Sequence, residues 1–86
     1  MANVKFIDYN IGSNGVTLYF FHKGVMWNST ESETISLNEA RQIIAMMSDK
    51  IKQYSEFSLD YSGHSIKVNA KLAAKCIADF EAKHGK

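Results

Sequence analysis

The chain has no proline, one cysteine, one arginine and no long apolar run in its 86 residues. Each shortage removes something. Without proline, every turn must be made by glycine, asparagine or serine. With Cys76 alone, no internal disulfide can form. Nothing approaches the roughly 18 consecutive apolar residues that a membrane-spanning helix needs, so the expectation is no membrane partner. Arg41 is the only guanidinium, and ten Lys and Arg against nine acids leave a net charge of +1. That is not the basic excess on which binding to a phosphate backbone relies. Catalytic spacings are missing too: there is no P-loop, G-x-G-x-x-G, G-x-S-x-G, H-x-x-x-H or C-x-x-C. The expectation is therefore no enzyme, no cofactor and no metal.

What remains is ordinary for a globular protein, with 45% hydrophobic, 12% aromatic and 22% charged residues. Residues 1–86 are expected to form a single α+β domain. The opening stretch MANVKFIDYN lacks a basic segment followed by an apolar one, and with the lone cysteine this points to a cytoplasmic protein. The Asn28-Ser29-Thr30 sequon has no meaning without secretion.

The most strongly patterned stretch is Ser36 to Tyr54. Leu37, Ala40, Ile44, Met47, Ile51 and Tyr54 recur at three-four spacing, with Ile43 and Met46 widening the stripe, which predicts a helix with one buried face. Ser36 and Glu39 form an S-x-x-E capping box at its start.

Ahead of this helix, Val4 to Ile11 and Val16 to Lys23 read as strands joined at Asn14-Gly15. That loop would set Ile11 opposite Leu18, Tyr9 opposite Phe20 and Ile7 opposite His22. A second tight turn at Lys23-Gly24 would bring Phe20 against Trp27 and His22 against Val25. One face of the meander then carries Ile7, Tyr9, Ile11, Leu18, Phe20, Val25 and Trp27. Residues 28–34 are polar and read equally as strand or loop. After the helix, Glu56 to Asn69 alternates cleanly around Ser62-Gly63, pairing Tyr61 with His64, Leu59 with Ile66 and Phe57 with Val68. Asn69 caps a last helix from Ala70 to about His84, buried through Ala73, Cys76, Ile77 and Phe80, with Gly85 just beyond.

The order β-β-β-α-β-β-α predicts a two-layer α+β fold, a mostly antiparallel sheet with two helices packed on one face. In the alternative, one helix lies on each side of the meander and buries Tyr19 and Phe21.

Two groups of residues stand out as candidate sites. Tyr19, Phe21, Met26 and Phe6 are left over on the second face of the meander, and an open aromatic patch there marks a partner-binding surface. Lys67, Lys71 and Lys75 gather near the start of the last helix, where cations oppose the dipole and an anion could sit. Against this, Lys75 and Asp79 are spaced to pair on an exposed helix face. Cys76 falls on a buried stripe, where a thiol packs without reacting. The leading expectation is a small non-enzymatic protein that occupies a surface of a larger protein partner. Phage and mobile-element inhibitors of host defence, anti-CRISPR proteins among them, are often this small. The alternatives are a nucleic-acid-binding module using the aromatics and lysines, and a homodimer.

Overall fold

The computed structural model describes residues 4–24, 26–61 and 63–85. Its elements are β1 (Val4–Ile11), β2 (Gly15–Lys23), β3 (Asn28–Ser36), α1 (Leu37–Ile51), β4 (Glu56–Tyr61), β5 (His64–Asn69) and α2 (Ala70–His84). The five strands form one sheet in the order β3-β2-β1-β5-β4. All neighbours are antiparallel except β1 and β5, which run parallel through Val4 with Ile66 and Lys5 with Lys67. Val4, Phe6, Val16, Leu18, Phe20, Ile35, Phe57, Leu59, Ile66 and Val68 form a single buried cluster with Ala40, Ile43 and Met47 of α1 and Ala73, Cys76, Ile77 and Phe80 of α2. Because strand side chains alternate between faces, this shared cluster puts both helices on one side of the sheet. The fold is the two-layer α+β arrangement expected from the sequence.

Local chemistry sets the helix ends. At α1, Glu39 N–H donates to Ser36 Oγ at 3.1 Å, while the Ser36 hydroxyl donates to the Glu39 carboxylate at 3.2 Å. The carboxylate thus engages the hydroxyl of the cap. Ser36→Ala should lower stability by about 1 kcal/mol in urea unfolding, the usual worth of such a cap. At α2, Asn69 Oδ1 accepts from Lys71 N–H (2.9 Å) and Leu72 N–H (3.3 Å). Gly85 closes this helix with φ +77, a left-handed conformation that favours glycine.

Side-chain latches then hold α2 down. His84 Nε2 lies 2.7 Å from Gly12 O, an arrangement in which the imidazole N–H donates to the turn between β1 and β2. The Tyr9 hydroxyl donates to Asp79, and the Arg41 guanidinium lies 5.3 Å from the Phe80 ring centroid.

The β4–β5 register is the expected one, pairing Tyr61 with His64, Leu59 with Ile66 and Phe57 with Val68. The first hairpin differs. Gly12 N–H donates to Gly15 O at 2.9 Å and Ile11 faces Val16, so Ser13 and Asn14 form the loop. Gly15 is used for something else: a Cβ there would come within 2.6 Å of Ile35 O, so glycine permits β3 to approach. The displaced loop moves the pairing by two residues, which keeps Tyr9, Ile11, Leu18 and Phe20 on the core side.

A register shift between Phe6 and Asp8 then reverses the start of β1. Phe6 turns inward to 4% exposure and Ile7 outward to 40%. Phe6 is therefore a core residue packed 6.2 Å from the Phe20 ring, which corrects its expected place on the second face.

The β2–β3 connection also departs from expectation. Lys23 pairs with Asn28, and pairing runs without interruption to Gly15 with Ser36, so Trp27 falls before the first pair of β3. Trp27 is consequently 76% exposed at the tip instead of packed in the core. Val25, expected opposite His22, and Ser62 lie outside the described residues.

Candidate protein-docking surface

With both helices on one side, no layer of the described residues covers the other face of the sheet. Tyr19 and Phe21 of β2 lie half-buried on this face, between Asp8 and Lys5 of β1 and Ser32 and Thr30 of β3. Their partial cover comes from sheet neighbours, since the helices lie on the opposite side. Lys67 shares this face, beside Lys5 in the β1–β5 pairing, and its Nζ sits 3.1 Å from Glu56 Oε1. Just past the end of β2, Met26 is 85% exposed and joins Trp27 at the hairpin tip. Tyr19 and Phe21 thus share the open face, with Met26 at the tip beyond it, whereas Phe6 is in the core.

The lysines do not come together. Lys67 is on the open face of the sheet, and Lys71 and Lys75 are exposed on α2, which packs against the other. Nor does Lys75 pair with Asp79, whose carboxylate takes the Tyr9 hydroxyl. The anion site expected from these three lysines is therefore not assembled.

A feature with no local sequence signal lies on the helix side, beyond the reach of either helix. The sheet coils far enough that Glu33 on one edge strand stands beside Tyr61 on the other. Between them is a cleft of about 150 Å³ lined by His22, Glu31, Glu33, Tyr61 and His64 over a floor of Val4, Phe20 and Ile66. His22 Nε2 is 3.1 Å from Glu31 Oε2, and the His22 and His64 rings meet edge-on with centroids 6.4 Å apart. Among the described residues, no group of three or more His, Cys, Asp or Glu is arranged to hold a metal ion. A second space, among Phe6, Leu18, Phe20, Ile43, Met47 and Ile66, is an apolar void of about 20 Å³, too small and too dry for a ligand.

Three groups, Cys76, Tyr61 and Tyr9, are held protonated by their surroundings. Burial, then the Asp79 carboxylate, pushes the Cys76 thiol up to about 12, and the side chain is 2% exposed. Burial followed by the charge and hydrogen bonding of Glu33 pushes the Tyr61 phenol up to about 12. Burial and the hydrogen bond to Asp79 raise Tyr9 as well.

All three groups keep their protons in the folded state at pH values where an unfolded chain releases them. Their contribution to stability is present in full below about pH 9 and falls as pH rises toward 12. The urea midpoint should therefore drop between about pH 8 and about pH 11, and Tyr61→Phe should drop less. At neutral pH, native protein should resist thiol alkylation that unfolded protein accepts at once.

No family model matches the chain, and neither a curated protein nor a solved structure matches it. The surface must be read from its own residues. Sequence patterning placed Tyr19 and Phe21 on the second face, but it put Met26 there, Trp27 in the core and Ile7 on the core face, whereas Met26 and Trp27 lie between β2 and β3 and Ile7 is 40% exposed. A longer β2–β3 loop, the one change needed to expose Trp27, was open to consideration because residues 28–36 include Thr30, Thr34 and Ile35, which suit a strand. Among the described residues, no helix is long and apolar enough to cross a membrane.

Proposed function

We propose that this chain is a non-enzymatic protein-binding module that docks on a larger protein through the open sheet face and the tip of the β2–β3 hairpin. One observation carries the reading: Trp27 and Met26, 76% and 85% exposed, project beyond a sheet face that already presents Tyr19 and Phe21. Tryptophan, tyrosine and methionine are enriched at the centres of protein interfaces, where a large rigid side chain fills a pocket on the partner. The protonated state of Cys76 and Tyr61 supports the non-enzymatic half of the reading. A module of this kind acts by covering what it binds, so inhibition by occlusion is its simplest effect.

The test is differential capture. Wild-type protein should retain a partner that the Tyr19→Ala/Phe21→Ala/Trp27→Ala variant releases and the Lys71→Ala/Lys75→Ala variant keeps. Equal capture by all three would remove the surface from consideration.

A second reading has one observation in its favour. Lys5 and Lys67 stand side by side next to Phe21, a ring-and-cation arrangement that suits single-stranded nucleic acid. Its signature is an affinity for single-stranded DNA or RNA that falls steeply with salt, whereas docking through apolar rings is nearly salt-independent.

A further inference from the structure

Strand β3 forms one edge of the sheet. Among the described residues, its nine residues pair with β2 on one side only, and all but Ile35 are exposed. Natural edge strands are shielded by proline, charged side chains, a bulge, a covering element or brevity. β3 is long, has no proline or lysine, and keeps an unbroken register from Asn28 to Ser36. An exposed ladder of backbone donors and acceptors is a template for an added strand.

Charge decides which strand. Glu31 and Glu33 are the only charges on β3, and alternation puts both on the helix side of the sheet. The His22 imidazole lies beside Glu31, and Tyr61 stands beside Glu33. A second copy of this chain would pair antiparallel about a two-fold axis, with the helices of both copies on one side. The registers that use most of the strand are centred on Glu31, Ser32 or Glu33. They place Glu31 opposite Glu31, Glu31 opposite Glu33, or Glu33 opposite Glu33, and like charges directly opposite destabilise a ladder.

We propose that β3 accepts an extended segment of another protein by strand addition, and that the segment carries lysine or arginine at two alternate positions facing Glu31 and Glu33. The backbone ladder supplies the attachment, and the alternate cations fix register and exclude self-pairing. This site is distinct from the open-face rings, so either can fail without the other.

The test uses the full chain with synthetic peptides, read by the fluorescence of Trp27, the only tryptophan, next to the first residue of β3. A peptide alternating lysine and threonine should give a saturable change. The same peptide N-methylated at alternate backbone nitrogens, or with glutamate for lysine, should not. Glu31→Lys/Glu33→Lys should weaken the lysine peptide on the order of tenfold and accept the glutamate peptide instead. Glu31→Gln/Glu33→Gln should weaken the lysine peptide less, a check should the reversed variant not fold. Lys71→Ala/Lys75→Ala, exposed on α2 away from β3, should leave uptake unchanged. Equal response to lysine and glutamate peptides, or indifference to N-methylation, would overturn strand addition. A wild-type dimer in sedimentation that takes up no peptide would assign the edge to a second copy and overturn it equally.

Discussion

Phe80→Ala should lower the unfolding free energy by about 3 to 5 kcal/mol. The ring is 1% exposed on α2, in the one cluster that both helices share with the sheet. It also serves as a platform: the Arg41 guanidinium of α1 lies 5.3 Å from its centroid, and the His84 ring sits 5.0 Å away. Truncation leaves a cavity, removes the surface under Arg41 and loosens the segment that carries the His84 latch to Gly12. An 86-residue domain has only about 5 to 10 kcal/mol in total, so the variant should be close to unfolding at physiological temperature. Its thermal midpoint should fall by roughly 15 °C or more. Phe80→Leu, which refills most of the volume, should recover over half of the loss. A Phe80→Ala midpoint within a few degrees of wild type would mean that the two helices do not depend on each other through this ring.

Much of the fold was legible in the sequence because burial and periodicity agreed. In β4 and β5 the apolar residues Phe57, Leu59, Ile66 and Val68 alternate with polar ones around a tight turn, so face and register follow together. The helices announced their starts through Ser36 and Asn69, side chains that accept from the first free N–H groups. The first meander was legible in its faces but not in its register. Asn14-Gly15 is a strong turn signal, yet Gly15 is needed where β3 passes close, a contact twenty residues away that local pattern does not encode. The bulge beside Ile7 exchanges Ile7 and Phe6 between faces, and two adjacent apolar residues give no hint of which turns inward. β3 escaped because an edge strand held by its backbone ladder does not need apolar alternation. The cleft of His22, Glu31, Glu33, Tyr61 and His64 left no trace because it gathers four strands by coiling the sheet, and only Glu31 with Glu33 and Tyr61 with His64 are near each other in the chain.

Trp27→Ala is the substitution that should separate function from folding most sharply. The side chain is 76% exposed and outside the buried cluster, so its removal should change stability by no more than about 0.5 kcal/mol. In a docked complex the same ring would be desolvated at the tip of the hairpin, and truncating a buried interfacial tryptophan typically costs 2 kcal/mol or more, at least about thirtyfold in affinity. Tyr19 and Phe21 give a less clean contrast, because each is half-buried among its sheet neighbours and its loss disturbs the sheet as well as the contact. Met26→Ala beside Trp27→Ala should add a smaller loss, since a flexible thioether fills gaps without defining a pocket. The measurement is partner affinity with the urea midpoint recorded on the same preparations. If affinity survives Trp27→Ala but disappears in Lys5→Ala/Lys67→Ala together with its salt dependence, the hairpin tip is a bystander and the sheet face binds a polyanion.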